Sequence, residues 1–176
     1  GAGSITSLSL ATNIQFVPVS VIGISLATAV FPQLSAHASQ QEMGGLQKKL
    51  THSLWMTFWM SGAAAAGIFI LRKPLVDLIF HVGAFKAGDS SLTASVLGIF
   101  MFSVVAQSLM HVITRAYYAL QNTRTPFLIA LFSITLNVAL SAILALQYDA
   151  GIRGIALATA IAYNINFLLL YIVFRR

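Results

Sequence analysis

SSLTASVLGIFMFSVVAQSLMHVIT, residues 90–114, runs from Ser90 to Thr114 without one Asp, Glu, Lys or Arg and ends at Arg115. A helix rises about 1.5 Å per residue, so about 20 mostly apolar residues cross the hydrocarbon of a bilayer. This run is long enough to do so. Working outward from it, Leu50–Leu71, Thr125–Tyr148 and Gly154–Phe174 qualify on the same grounds. A fifth run, roughly Ile5 to Leu34, holds Pro18 and Gly23, which loosen a helix unless neighbouring helices satisfy the freed backbone groups. The expected fold is therefore an all-α integral membrane protein. It has about five transmembrane helices, over about 5–34, 50–71, 90–118, 125–148 and 154–174, in one membrane domain covering 1–176.

Composition excludes the alternatives. Of 176 residues, 58% are hydrophobic and 8% charged, with a mean hydropathy of +0.86; soluble domains run at about 45–50% apolar and about 25% charged. The same numbers are the reverse of a disordered chain's. A net charge of +6 raises the question of nucleic acid. A nucleic-acid binder gathers its cations on one face. Here no charge precedes Glu42, and the later ones sit in small groups between neutral runs. Nucleic acid is not an expected partner. The absence of cysteine removes disulfides and thiolate metal sites.

The boundaries carry their own signals. Asp89 before Ser90 reads as an N-cap, and Thr125-Pro126 as a capping hydroxyl before a first-turn proline. Gly44-Gly45 reads as a loop. Pro74–Phe85 is too short to cross and contains Asp77 and His81, while Leu75, Leu78, Ile79, Val82 and Phe85 share a helical face. That pattern predicts a short interfacial helix over 74–86. With the N-terminus outside, the inner loops hold Lys48, Lys49, Arg115, Arg124, Arg175 and Arg176, against Arg72, Lys73, Lys86 and Arg153 outside. The positive-inside rule favours that orientation. The chain opens Gly1-Ala2-Gly3 and ends directly after a span, so it is expected to be a piece of a longer transporter.

Gly23-Ile24-Ser25-Leu26-Ala27-Thr28-Ala29-Val30 closely matches Gly154-Ile155-Ala156-Leu157-Ala158-Thr159-Ala160-Ile161. Small residues every four positions let membrane helices approach closely, and helix packing is preferred here over a true internal repeat.

Polar residues within the spans mark the candidate site, because a polar side chain in hydrocarbon normally faces the bundle interior or a water-filled cavity. Ser103, Gln107, His111 and Arg115 recur every four residues and stack on one helix face, with Tyr118 and Asn122 beyond them. The stripe fits two roles equally. It lines a pathway for an anionic solute, or it hydrogen-bonds between helices while Arg115 reaches the headgroups. Ser133, Asn137 and Ser141 repeat the spacing in span four. Span five carries Thr159, Tyr163, Asn164 and Asn166, and span one Asn13 and Gln15. No paired carboxylates lie in a span, and no nucleophile, phosphate-loop or metal motif occurs. An enzyme is not expected.

The run Arg115-Ala116-Tyr117-Tyr118-Ala119-Leu120-Gln121-Asn122-Thr123-Arg124-Thr125-Pro126 resembles the R-A-F-Y-A-L-x-D-T-R-T-P segment of the MurJ/MviN lipid II flippase family, with Asn122 where aspartate is common. Phe31-Pro32-Gln33-Leu34-Ser35 resembles the family's L-P-x-L-S. Pro74-Leu75 with Val82-Gly83-Ala84-Phe85 resembles its P-L…x-x-G-x-F, and Gly154–Thr159 its G-L-A-L-A-T. These occur in family order over nearly the whole chain. The resemblance implies the eighth to twelfth spans of a fourteen-span protein, in the second lobe of a multidrug/oligosaccharidyl-lipid/polysaccharide exporter. It implies a flippase that carries the undecaprenyl-pyrophosphate-linked peptidoglycan precursor across the bacterial inner membrane by alternating access. No cofactor is implied, and the partners are the lipid-linked precursor, membrane lipids and the rest of its own chain. The N-terminus of this segment would lie outside and its C-terminus in the cytoplasm.

On this reading the substrate cavity takes Asn13, Gln15, Gln107, His111, Arg115 and Asn137, and Tyr118, Asn122, Arg124 and Pro126 belong to the family motif loop. One departure bears on cargo. The family's A-x-R-L-x-x-x-P is Ala11-Thr12-Asn13-Ile14-Gln15-Phe16-Val17-Pro18 here, so Asn13 stands where the family has a cavity arginine. Losing one charge-assisted contact weakens a pyrophosphate interaction by roughly 1.5–3 kcal/mol. Two alternatives therefore accompany lipid II transport: a flippase for another lipid-linked oligosaccharide, and a non-transporting scaffold for envelope assembly.

Overall fold

The computed structural model describes residues 2–80, 87–146 and 151–175. Helix α1 (Ala2–Pro18) passes through a π-helical segment (Val19–Ile24) into α2 (Ser25–Ser39), and α3 (Met43–Phe80), α4 (Ala87–Ala119), α5 (Arg124–Leu146) and α6 (Gly151–Arg175) follow. Five helical stretches are long and apolar enough to cross a membrane: Ser7–Ser39, Met43–Leu78, Ser90–Ala119, Arg124–Leu144 and Gly151–Arg175.

Helix α4 is the axis. It packs against α1, the π segment, α2, α3 and α6, whereas α5 leans almost entirely on α6. In their most apolar stretches, 72% of α4 is buried against 6% of α5. Val96, Leu97, Phe100, Met101 and Val104 of α4 form one core with Ala11, Val19, Ala65, Val76 and Ala156. Further along, Val112 and Ala116 meet Ala27, Leu34, Leu46 and Leu50, and Ile113 and Tyr117 meet Leu170. Lipid tails are as apolar as leucine, so such contacts form where backbones come close enough for dense van der Waals packing. Helix α6 presents buried Gly154, Ala156, Ala158, Ala160 and Ala162 for that purpose.

The π segment follows from Pro18, which has no N–H to give to the preceding turn. Serine hydroxyls bond back to the main chain around the segment. The Ser20 hydroxyl donates to the Val17 carbonyl at 2.9 Å and the Ser25 hydroxyl to the Ser20 carbonyl at 3.2 Å. The widened turn brings Gly23 against α4, where a Cβ on residue 23 would lie 2.7 Å from the Ser108 Cα. Glycine is required there by contact, which is the packing role expected of the first of the two similar octapeptides.

Two turns share one design. In the α2–α3 turn the Glu42 N–H bonds the His37 carbonyl at 2.9 Å; in the α4–α5 turn the Asn122 N–H bonds the Tyr117 carbonyl at 2.9 Å. Gln41 and Gln121 each take φ +56° at the residue before, the left-handed position of a Schellman motif.

Several expectations change. Gly44 and Gly45 lie in the first turn of α3 rather than in a loop. Gly45 is small because His37 occupies the space: a Cβ there would sit 2.6 Å from its Nδ1. No separate interfacial helix begins at Pro74; Pro74–Phe80 continues α3 without a break. The cause is packing, since Val76 is fully buried in the α4 core and Asp77 accepts a hydrogen bond from the Ser90 hydroxyl. The rest of the expected interfacial helix, 81–86, lies outside the described residues. Helix α4 begins before Asp89, whose side chain is likewise outside them. At α5 the cap is Asn122 rather than Thr125: its Oδ1 accepts the Thr125 N–H at 3.1 Å, and its Nδ2 donates to the Thr125 hydroxyl at 3.0 Å.

Gly23→Val is expected to destabilise the protein by about 1–3 kcal/mol through overpacking. Gly62→Ala, whose Cβ meets nothing within 4 Å, is expected to leave thermal unfolding in detergent unchanged. Equal melting of the two variants would remove the close-approach argument.

Candidate functional site

Where α1, α4 and α6 diverge they leave a cavity of about 360 Å³. Gln15 and Thr12 come from α1, Gln107 and His111 from α4, and Thr159 and Tyr163 from α6, set among Leu8, Phe16, Phe100, Met110 and Ile155. The helical period does the positioning, because Gln107 and His111 are one turn apart, as are Thr159 and Tyr163. None of the lining side chains carries a permanent charge. They offer amides, hydroxyls and an imidazole, the donors and acceptors that bind sugars, peptides or water.

The cavity has a fixed wall and an open one. The Ser103 hydroxyl donates to the Phe100 carbonyl at 2.8 Å, and receives Gln107 Nε2 at 3.0 Å and Gln15 Nε2 at 3.5 Å. Upper members of the stripe thus act as cement between α1 and α4. Gln15 Oε1 remains buried with no partner in the protein. A buried carbonyl oxygen is costly to leave unpaired, so this atom marks the point at which the cavity would accept a donor.

Asn137 does not line this cavity; it stands one contact behind it. Its Nδ2 donates to the Thr159 hydroxyl at 3.1 Å, and the Ser141 hydroxyl donates to its Oδ1 at 3.4 Å. Asn137 does line a smaller space of about 180 Å³ between α5 and α6, with Ser133, Tyr163 and Asn166. Ser133 Oγ and Asn166 Oδ1 are buried there without partners. Tyr163 borders both spaces.

The remaining expected residues separate. Asn13 is exposed on α1 and does not line the cavity that holds Gln15; two residues along a helix turn the side chain about 200° away. Arg115 is half-buried, one turn beyond His111, and its guanidinium lies over the Phe31 ring at 5.6 Å. Among the described residues the one ion pair within range is His37–Glu42, so Arg115 has no carboxylate partner. Tyr118 is exposed and Asn122 is occupied in the turn. The stripe therefore functions as a cavity wall only to His111. Arg124 is exposed, and Pro126 is buried in the first turn of α5.

Two residues of the α4–α6 contact were not singled out for the role they play. Tyr117 is buried, stacks edge-on with Phe174 at 5.3 Å, and donates its hydroxyl to the Leu170 carbonyl at 2.9 Å. Asn164 Nδ2 reaches the Phe102 carbonyl at 3.3 Å. A main-chain acceptor on another helix leaves no mark in a side-chain pattern. No group of three or more His, Asp or Glu gathers among the described residues.

With this geometry in hand, the comparisons with known proteins are decisive. The family described as "Lipid II flippase MurJ" matches the chain over residues 1–176. This chain belongs to that family. It is 31% identical over 168 residues to "Probable lipid II flippase MurJ" of Bdellovibrio bacteriovorus, covering 96% of this chain and 32% of that protein. It is 32% identical over 169 residues to the protein of the same description from Rickettsia prowazekii, covering 96% and 33%. It superposes with a TM-score of 0.87 and 28% identity on a solved "Lipid II flippase MurJ, inward closed conformation", covering 98% of this chain and 36% of that one. The chain thus spans about a third of the length of these relatives. Its fold is that of one part of a transporter, and the family motif loop is the Schellman turn plus Asn122 cap that joins α4 to α5.

Accessibility tests the cavity directly. The chain has no cysteine, so introduced cysteines report singly. Thr12→Cys and His111→Cys are expected to react with a charged methanethiosulfonate reagent, while Val104→Cys, fully buried in the α4 core, is not. Protection of both cavity positions would show that the space is dry.

Proposed function

We propose that this chain is part of a flippase that moves lipid II across the bacterial inner membrane by alternating access. The observation that carries the reading is the cavity of Gln15, Gln107, His111, Thr159 and Tyr163, with Arg115, which has no carboxylate partner among the described residues, one turn further along α4. Sugar and peptide groups need neutral donors and acceptors, which the cavity offers. A pyrophosphate crossing hydrocarbon needs a cation, and guanidinium meets two of its oxygens in a fixed planar fork where ammonium acts as a point charge. The membrane belonging to this reading is the bacterial inner membrane, with Lys48, Lys49, Arg115, Arg124 and Arg175 on the cytoplasmic side. The neighbouring half of the transporter would close the pathway from the exposed side of α1, where Asn13 lies.

Asn13 also motivates a second reading, in which the same machinery carries another polyprenyl-linked oligosaccharide. An exposed amide at a position where the resembled motif has arginine hydrogen-bonds sugar as readily as phosphate but adds no charge.

Depletion of the full-length protein is the primary test: outer-leaflet lipid II should fall, and an unchanged level would exclude the lead reading. In complementation of a flippase-deficient strain, Arg115→Ala should reduce transport more than tenfold, in line with loss of a charge-assisted contact, and Arg115→Lys should recover part of it. Full activity of Arg115→Ala would reduce that residue to packing on Phe31. Asn13→Arg separates the cargoes, since improved complementation favours lipid II and no gain favours the other oligosaccharide.

A further inference from the structure

A second groove, on α3, α4 and α6, lies apart from the cavity just described. It encloses about 480 Å³ over Ala106 of α4, with Trp55 and Phe58 on one wall and Phe167 and Tyr171 on the other. Its lining is overwhelmingly apolar, yet three of these aromatics are substantially exposed: Trp55 by 58%, Phe58 by 43% and Tyr171 by 36%. Exposed aromatic side chains lining a slot in a membrane span face acyl chains rather than water.

One end of the groove is cationic. Lys48 lies seven residues before Trp55, two helical turns along the same face of α3, and Lys49 is beside it. From the opposite wall, the Arg175 guanidinium sits 5.7 Å over the Tyr171 ring. Both walls reach the same part of α4 at this end, since Leu50 of α3 belongs to the buried cluster around Val112 and Ala116 and Leu54 and Phe174 pack against that cluster. Among the described residues no carboxylate lies within 4.0 Å of the charged groups of Lys48, Lys49 and Arg175. The result is an apolar slot with Lys48 one turn before its lining residue Thr51 on one wall and Arg175 one turn after its lining residue Tyr171 on the other.

We propose that this groove binds one anionic membrane phospholipid, its acyl chain lying between α3 and α6 over Ala106 and its phosphate held by Lys48, Lys49 and Arg175. The match is one of charge and polarity along the same axis: tail against aromatics, phosphate against cations at the surface. The site is independent of the cargo, since none of its residues lines the Gln15–His111 cavity. Its role would be to wedge α3 and α6 at a fixed separation around α4.

The test uses the full chain in phosphatidylcholine nanodiscs containing graded amounts of brominated phosphatidylglycerol or brominated phosphatidylcholine. Quenching of Trp55 is read as the difference between wild type and Trp55→Phe. Half-maximal quenching is expected at a phosphatidylglycerol fraction at least about fivefold below that for phosphatidylcholine. The combined Lys48→Gln, Lys49→Gln, Arg175→Gln variant is surface-located and should fold normally while losing the preference. Identical curves for the two lipids would mean ordinary annular lipid and overturn the proposal. Absence of quenching by either would mean that another segment of the protein covers the groove, and would overturn it too. So would a preference that survives the triple variant, or one abolished by low concentrations of undecaprenyl phosphate, which would assign the slot to a polyprenyl tail.

Discussion

The close approach of the π segment to α4 is the contact on which the rest of the bundle depends. Gly23 and Ser108 bring two backbones to a distance that no side chain on residue 23 would permit. In hydrocarbon this matters more than in water, because burying one more methyl group against protein instead of lipid gains little. What holds helices together is density of contact, and density needs glycine, alanine and serine at the crossing points. Pro18 widens the turn, Gly23 admits the neighbour, and α4 is then enclosed by α1, α2, α3 and α6.

That enclosure has a second consequence. A helix as enclosed as α4 can keep amides and hydroxyls inside the membrane at acceptable cost where they find partners. Ser103 serves both Gln107 and Gln15; Asn137 serves Thr159; Tyr117 and Asn164 reach main-chain carbonyls of other helices. Single interhelical bonds of this kind contribute only about 0.6 kcal/mol on average in a membrane. They fix register more than they add stability. Of the four buried oxygens left without a partner among the described residues, Ser108 Oγ lies at the Gly23 contact, while Gln15 Oε1, Ser133 Oγ and Asn166 Oδ1 belong to residues that border the two open spaces.

The polar stripe on α4 shows why a period of four was informative only part of the way. Ser103, Gln107, His111 and Arg115 do share a face, but the neighbours of that face change along the helix. At Ser103 it meets α1, at His111 it borders open space, and at Arg115 it meets Phe31 of α2. Asn13 and Gln15 diverge for a related reason: two positions apart on one helix they point in nearly opposite directions, so only Gln15 enters the cavity. Pro74 misled in the same manner. A proline beside Asp77 looks like a break, yet Val76 and the Asp77–Ser90 bond carry α3 straight past it.

From sequence alone came the membrane class, the five long apolar runs, the polar residues within them and the ordered motifs that resemble the flippase family. All of these follow from local facts: length against bilayer thickness, charge against hydrocarbon, residue type against position. The tertiary structure decided which polar groups face one another, that Asn137 supports Thr159 instead of lining the cavity, that Gly45 serves His37, and that Trp55 and Phe58 of α3 face Phe167 and Tyr171 of α6 across one groove. Those outcomes rest on contacts between residues as far apart as Gln15 and Ser103. A periodic pattern specifies the face a side chain occupies on its own helix, and only packing specifies what that face meets.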